Sequence, residues 1–188
     1  MNPLLIDVPD TVTTARLTLR TPRAGDGELI LPQVRASLPE LKQWMPWATD
    51  TYALSDAEEW CRKCAAEFIR REQLQYLMLT HDGQHLGNIG AFKFDWKVPR
   101  AEIGYWLRTD YTGRGYITEA VRGLSGMLYD LLKFARIEIR TDDRNARSYR
   151  VAERAGFTLE GVLRCDSIDA AGVLRDTRIY ARIQPRAS

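Results

Sequence analysis

Two glycines flank one arginine in the segment YTGRGY, residues 111–116, just before a stretch with helical apolar spacing. Gly113 and Gly115 let the backbone come close to a ligand and turn N–H groups toward one concavity. The N-terminus of the following helix adds a partial positive charge, which favours an anion. Arg114 can add a charge-assisted contact to a phosphate. The segment therefore predicts a pyrophosphate site, although a glycine-bearing turn that binds nothing has the same letters.

The commoner nucleotide-binding motifs do not fit this segment. It has no Lys-Ser or Lys-Thr ending, which a P-loop requires, and no third glycine of a dinucleotide fingerprint. Downstream, Asn145 is a good helix N-cap, and Ser148 lies three residues later, one turn along the same helical face. Ser148 can equally be an ordinary first-turn serine, so the pair needs its context before it indicates a function.

A carboxylate, Glu102, lies on the predicted strand that leads into the glycine segment. Its neighbours Ile103, Tyr105 and Leu107 are apolar or aromatic, so we expect partial desolvation, which would raise the pKa of Glu102. Two interpretations of this residue are open: a general base, and a glutamate held in a surface ion pair.

The cysteine and histidine residues give little support for metal or redox chemistry. Cys61 and Cys64 form a lone CxxC inside a helical pattern, without a second ligand pair, and we interpret them as free thiols. His81 and His85, the two histidines of the chain, flank an Asp-Gly turn. We therefore expect no metal, and a general base that is a carboxylate or a water chain.

The elements that must position these residues alternate between strand and helix patterns. Ser55 and Glu58 have the spacing of a capping box at the start of the second helix. The order of elements predicts one mixed α/β (α+β) domain over residues 1–188, centred on a strand–helix–strand crossover. The predicted strands cover residues 13–20, 75–80, 84–94, 100–108, 136–141, 157–165 and 173–183, and the helices cover 24–37, 55–71, 117–132 and 145–155.

Composition narrows the class of protein. The chain has 188 residues, with 27 Lys and Arg against 25 Asp and Glu, a net charge of +2. This balance gives no reason to expect a nucleic-acid or membrane partner. No apolar run has the length of a membrane span, and the first ten residues do not have the pattern of a signal peptide. We therefore expect a cytoplasmic protein.

Several ordered motifs together resemble the GNAT superfamily of acetyl-CoA-dependent N-acetyltransferases. They are TARLTLRTP, LGNIGAF, AEIGYWLRTDYTGRGYITEA, NARSYRVAERAGFTLEG and LRDTRIYA, which span nearly the whole chain. The chain is most similar to the branch that acetylates the N-termini of ribosomal proteins. The resemblance implies a mostly antiparallel sheet of about seven strands with a splayed central pair, flanked by about four helices.

The resemblance also implies how acetyl-CoA binds. Backbone amides of the glycine segment would hold the pyrophosphate, and the open edge of the preceding strand would pair with the pantetheine arm. Thr112 stands where the family commonly has Gln or Arg, and Ile117 where it has Gly or Ala, and both retain their backbone donors. The implied cofactor-binding residues are Trp106, Leu107, Arg108, Thr112, Gly113, Arg114, Gly115, Tyr116, Ile117 and Asn145.

For catalysis, the resemblance implies Glu102 as the general base, acting directly or through water, and Ser148 as the hydroxyl that hydrogen-bonds the departing thiolate. The backbone N–H of Leu107 would polarise the thioester carbonyl. Most family members use a tyrosine near Ser148, but the adjacent Tyr149 points about 100° away around the helix and is the weaker candidate.

The implied reaction transfers an acetyl group from acetyl-CoA to a primary amine by direct attack, without a covalent intermediate. Trp44 and Trp47 lie in the region that lines the acceptor pocket in the family. The acceptor is expected to be a protein N-terminus, such as that of a ribosomal protein, or else a small amine such as a polyamine or aminoglycoside. A pocket lined by several carboxylates would favour a polycation. An alternative of another functional class is a catalytically inactive sensor that binds coenzyme A. The oligomeric state is open, and a homodimer is one possibility.

Overall fold

One sheet organises the molecule. The computed structural model describes residues 2–169 and 172–184, and within them eight strands form a sheet in the order β1-β2-β3-β4-β5-β6-β8-β7. All neighbouring strands are antiparallel except β5 and β6, which are parallel. The strands are β1 (Thr11–Thr13), β2 (Leu17–Arg20), β3 (Leu74–Thr80), β4 (His85–Asp95), β5 (Arg100–Leu107), β6 (Arg136–Asp142), β7 (Thr158–Ile168) and β8 (Leu174–Ile183).

Five α-helices and two short 3₁₀ turns accompany the sheet within the same described ranges. The expected fold class is confirmed, with one strand and one helix more than the approximate numbers. The added helix, α2, lies between the first two predicted helices, where no helix was predicted. The helices are α1 (Gly27–Ala36), α2 (Leu38–Leu41), α3 (Leu54–Arg70), α4 (Tyr116–Asp130) and α5 (Ala146–Arg154), and the 3₁₀ turns are Pro3–Leu5 and Thr109–Tyr111.

The two faces of the sheet carry separate apolar clusters. Helix α4 buries its predicted stripe, including Ile117, Val121 and Leu124, in the larger cluster. Burial of one such side chain stabilises a fold by about 1.5–3 kcal/mol, which is why the stripe fixes the helix in place. A second cluster around Ile30 and Val34 joins α1 to the sheet and to α3.

The capping box predicted at Ser55 and Glu58 is wrong. Helix α3 begins at Leu54, and the Asp56 carboxylate accepts a hydrogen bond from the N–H of Ala53 at 2.8 Å. Ser55 therefore already lies inside the first turn. Glu58 instead accepts hydrogen bonds from the N–H of Gly25 at 2.9 and 3.0 Å, because the turn before α1 offers amides that lack a helical partner.

The parallel pair β5–β6 separates along its length. The two strands pair only where residues 100–102 meet residues 136–138. Beyond Glu102, β5 continues beside β4 as far as Leu107, while β6 continues beside β8. The predicted splay is thus present, and it leaves the β6-facing edge of β5 open to a ligand.

In the ranges that the structure describes, the helices are too short or too polar to cross a bilayer.

Candidate active site

The segment between β5 and α4 has the backbone conformation of an anion-binding turn. Gly113 and Gly115 have φ angles of +76° and +82°, a left-handed region that disfavours residues with a Cβ. Helix α4 makes its first turn from the carbonyl of Gly115 to the N–H of Glu119, at 3.0 Å. The N–H groups of the residues between them have no helical acceptor, so they are available to an anion.

Arg16 and Glu119 hold this turn in place. Arg16 donates to the carbonyl of Arg114 at 3.0 Å and to the Glu119 carboxylate at 2.6 Å. The hydroxyl of Thr14 donates to the same carboxylate at 2.6 Å. Burial raises the pKa of Glu119, but the hydrogen bonds from Thr14 and Arg16 outweigh it, and the pKa lies below its ordinary value. The sequence motif alone did not reveal this clamp.

A groove of about 810 Å³ runs from the turn along the open edge of β5 to the start of α5. Most of the residues predicted to bind acetyl-CoA line it. Trp44, which was predicted to bind the acceptor, lies here as well. The predicted residues in the groove are Trp44, Trp106, Leu107, Thr112, Gly113, Arg114, Gly115, Tyr116, Ile117, Asn145 and Ser148.

Arg108 does not line this groove. Its guanidinium donates to the carboxylate of Asp110 at 2.5 and 2.7 Å and to the side chain of Gln33 at 2.6 Å. Its backbone N–H donates to the carbonyl of Leu86, on the β4 side. Because N–H groups alternate along a strand, the N–H of Leu107 faces the open edge, as an oxyanion donor would require.

Three arginines of α5 line the groove and were missed by sequence reasoning. Arg147, Arg150 and Arg154 are spaced by three and four residues, so they share one helical face. That spacing, following an anion-binding turn, was the available signal. Their charges favour phosphate groups on the ligand.

The N-terminus of α5 brings Asn145, Ser148 and Tyr105 together. Asn145 caps the helix as predicted, since its side chain accepts from the N–H of Ser148 at 3.1 Å. The Tyr105 hydroxyl donates to the carbonyl oxygen of Ser148 at 3.0 Å and lies 3.3 Å from Ser148 Oγ. Burial raises the pKa of Tyr105 to about 12. Tyr149 is not in the groove, and its ring is covered by the guanidinium of Arg178 at 4.2 Å.

Glu102 lines neither the groove nor the second pocket, which is described in the next paragraph. Its carboxylate accepts from Lys93 Nζ at 2.7 Å, and its side chain is 14% exposed. Alternation along β5 places it on the same face as Gly104 and Trp106, which line the second pocket described next. The structure therefore shows the ion pair, while the role of Glu102 as a base stays a prediction.

A second pocket, of about 610 Å³, lies between β4, β5 and α3. We call it the acceptor pocket, after the role proposed for it below; Trp47, whose contact with the acceptor stays a prediction, is among its lining residues. Gly90 and Gly104 face each other across β4 and β5, and the side chains of Gln75 and Phe92, which line the pocket, pack over them. A Cβ on Gly104 would lie 2.9 Å from the ring of Phe92. The lining residues are Ile30, Val34, Met45, Trp47, Thr49, Thr51, Tyr52, Asp56, Trp60, Gln75, Asn88, Phe92, Gly104, Tyr105 and Trp106.

Two residues that line the acceptor pocket, Asn88 and Trp106, are hydrogen-bonded to each other, and Asn88 also bonds to the buried His85. We orient the Asn88 amide so that its nitrogen donates to His85 Nε2 at 2.8 Å and to the carbonyl of Gly87 at 2.9 Å. Its oxygen then accepts from Trp106 Nε1 at 3.3 Å. Burial lowers the pKa of His85, and the hydrogen bond with Asn88 only partly offsets this. His85 is therefore a neutral group that fixes the orientation of Asn88.

The groove along β5, which we call the cofactor groove because most residues predicted to bind acetyl-CoA line it, shares three lining residues with the acceptor pocket. Met45, Tyr105 and Trp106 line both. Two ligands that enter from opposite sides would therefore come together beside the last residues of β5. This is the arrangement that a transfer between two bound substrates requires.

The remaining chemical candidates of the sequence lie elsewhere. Cys61 and Cys64 are free and buried in α3, and burial raises the pKa of each thiol to about 12. Residues 2–169 and 172–184 contain no group of three or more His, Cys, Asp and Glu side chains that could hold a metal ion.

The chain matches the family described as an acetyltransferase (GNAT) domain over residues 16–158. It belongs to this family, and it is an acetyl-CoA-dependent N-acetyltransferase. The probable N-acetyltransferase YjcK of Bacillus subtilis (strain 168) is 30% identical over 140 residues, which are 73% of this chain and 77% of the relative. The ribosomal-protein-serine acetyltransferase of Escherichia coli (strain K12) is 29% identical over 146 residues, 76% of this chain and 80% of the relative.

A solved structure has the same fold. The microcin C7 self-immunity acetyltransferase MccE, in complex with acetyl-CoA and AMP, superposes with a TM-score of 0.87. It is 24% identical, and the match covers 94% of this chain and 98% of that one. Together with the relatives, this fold confirms the resemblance drawn from the sequence motifs.

Proposed function

We propose that the acceptor is the α-amine of a peptide or protein N-terminus rather than a polycation. The observation that carries this proposal is the charge of the acceptor pocket. Of the described residues that line it, Asp56 alone carries a formal charge. Its carboxylate already accepts from the N–H of Ala53. Several ammonium groups would therefore lose water without gaining carboxylates, which is costly.

The relatives support the same acceptor class. One of them is named a ribosomal-protein-serine acetyltransferase. A ribosomal protein as acceptor would agree with the cytoplasmic location expected from the sequence.

We assign proton removal from the ammonium to Glu102, acting through water. Its carboxylate lies on the acceptor-pocket face of β5, two residues before Gly104, which lines the pocket. Glu102 does not line the pocket, and its carboxylate is bonded to Lys93, so direct contact with the amine is disfavoured. A bridging water would transmit the proton without breaking the ion pair.

Acetyl-CoA supplies the thioester that the neutral amine attacks, and the carbon–nitrogen bond forms as the carbon–sulfur bond breaks. The Leu107 N–H is oriented to stabilise negative charge on the carbonyl oxygen. Ser148 and Tyr105 both line the groove, and Ser148 Oγ can hydrogen-bond the departing sulfur. No covalent enzyme intermediate is required. Holding the two substrates in one cleft contributes to the rate as well.

An acceptor screen tests the proposed function. Release of free thiol from acetyl-CoA would be measured with N-terminal peptides of ribosomal proteins, spermidine and an aminoglycoside. We expect release with at least one peptide and little with either polycation. Preference for spermidine or the aminoglycoside would refute the assignment. Binding of coenzyme A without turnover of any amine would instead indicate the sensor.

A separate test addresses Glu102. Replacement Glu102→Gln should lower the rate mainly at lower pH, where more of the acceptor is an ammonium that must lose a proton. Glu138→Gln is a matched control, because Glu138 faces Glu102 across the β5–β6 pair but bonds to Arg136. If the pH–rate profile of Glu102→Gln matches that of the wild type, Glu102 is not the base.

A further inference from the structure

An exposed tryptophan stands at the mouth of the acceptor pocket. Trp47 is 41% exposed, although its ring centroid lies 5.6 Å from that of Tyr52 and 6.1 Å from that of Trp106. The ring planes are tilted by 53° and 58°, so these rings are not stacked face to face. The exposed part of Trp47 is thus a surface against which another ring can pack.

The size of the pocket also points to a large group. Its volume of about 610 Å³ exceeds what a serine or alanine side chain would occupy. A small side chain would leave most of this space to water. A phenyl or indole ring would displace that water from aromatic walls, which is favourable.

A cation is a poorer fit for the same walls. Ring faces can hold ammonium groups, but such sites are strengthened by free carboxylates. Asp56, the single formal charge among the described lining residues, is engaged at Ala53. Burial raises the pKa of Tyr52 to about 12, so its phenol stays neutral at physiological pH.

We propose that the acceptor pocket binds a flat, uncharged aromatic side chain next to the reacting amine, so that preferred acceptors begin with Phe, Tyr or Trp. The inference rests on the proposed function, because it assigns a substrate class to the same site. The pocket and the cofactor groove share Tyr105 and Trp106. An α-amine at this boundary would lie beside the thioester while its side chain extends toward Trp47.

A peptide series tests the preference. The peptides differ only in their first residue, which is Phe, Trp, Ser or Lys, and kcat/KM is measured from thiol release. We expect the aromatic peptides to exceed the serine peptide by at least about tenfold. A preference for serine or lysine would overturn the inference while leaving N-terminal acetylation in place. A series in which no peptide is acetylated would count against the proposed function itself.

Variants of the pocket tie the preference to these rings. Trp47→Ala should reduce the Phe-to-Ser ratio of kcat/KM severalfold, with the affinity for acetyl-CoA unchanged, and Trp47→Phe should restore most of it. Ile69→Ala, at a position on α3 that is 72% exposed, serves as the surface control. An unchanged ratio in Trp47→Ala would contradict the proposal.

A second variant covers the case in which Trp47→Ala folds poorly. Gly104→Ala would place a Cβ 2.9 Å from the Phe92 ring and so displace that ring, which lines the pocket. It should lower kcat/KM for the Phe peptide more than for the Ser peptide. An equal loss for both peptides would count against an aromatic side chain in this pocket.

Discussion

Tyr105 on β5 hydrogen-bonds the first turn of α5 through Ser148, with its hydroxyl 3.0 Å from the carbonyl oxygen and 3.3 Å from Oγ. The two residues are 43 positions apart in the chain. This contact places the phenol of Tyr105 beside the Ser148 hydroxyl, which is expected to donate a hydrogen bond to the departing thiolate. Because burial raises the pKa of Tyr105 to about 12, the phenol keeps its proton at neutral pH and can donate it.

Replacement Tyr105→Phe should therefore lower kcat, on the order of 10²-fold, as expected for loss of a proton donor. The KM for acetyl-CoA should change little, since the pyrophosphate turn is untouched. Steady-state thiol release across pH 6–9 provides the measurement. Tyr149→Phe is the control, because this neighbouring tyrosine lies outside the groove. A similar loss in both variants would argue against a specific role for Tyr105.

Replacement Gly113→Ala should raise the KM for acetyl-CoA and destabilise the fold. A Cβ meets no atom within 4 Å there, so the cost is that of the left-handed φ of +76°, about 1–2 kcal/mol. Gly126→Ala is the matched control, since Gly126 lies inside α4 and also has open space around it. We expect this control to be neutral or stabilising. Equal effects in thermal unfolding would exclude φ strain as the cause.

Replacement Glu119→Gln should weaken the clamp on the pyrophosphate turn. The folded-state pKa of Glu119 is lowered, so its stabilising contribution is present at neutral pH and is lost as pH falls through that depressed value. We expect a loss on the order of 1–3 kcal/mol in urea unfolding at pH 7, and a smaller difference from wild type in acid. Glu59→Gln, at an exposed position of α3, should stay within about 0.5 kcal/mol at both pH values. If the loss of stability in Glu119→Gln were the same at both pH values, the charge of Glu119 would not be the source of its stabilising contribution.

His85 should make the stability of the protein depend on pH below neutrality. Burial lowers the folded-state pKa of His85, so the unfolded chain binds a proton first as pH falls below the ordinary histidine range. Stability should then decrease by at most roughly 1.4 kcal/mol per pH unit for this one proton. His85→Gln should flatten the urea-unfolding profile between pH 7.5 and 5.5, and also raise the KM for the acceptor through Asn88.

The exposed His81 provides the comparison for that experiment. His81→Gln should retain the wild-type slope, because His81 lies at the surface and His85 is fully buried. The chain has only these two histidines, so a change of slope can be assigned. Wild-type and His85→Gln profiles of equal slope would show that His85 does not resist protonation in the folded state.

The sequence by itself determined the elements and the turns that depend on local interactions. The apolar stripe of α4 and the cap at Asn145 appear where their spacing predicted them, and the glycine turn at 113 and 115 directly precedes α4 as expected. These features depend on residues a few positions apart, so one stretch of chain contains their physical cause. The ordered motifs likewise indicated the family before the fold was known.

Only the tertiary structure decided which side chains meet. Glu58, expected in a capping box of its own helix, instead binds the N–H of Gly25. Tyr105 hydrogen-bonds Ser148, and Asn88 hydrogen-bonds both His85 and Trp106. The acceptor pocket is likewise lined by residues of α1, α3, β3, β4 and β5, which are distant in the chain. Such contacts join residues on different elements, and their partners follow from strand register and helix packing, which no local pattern encodes.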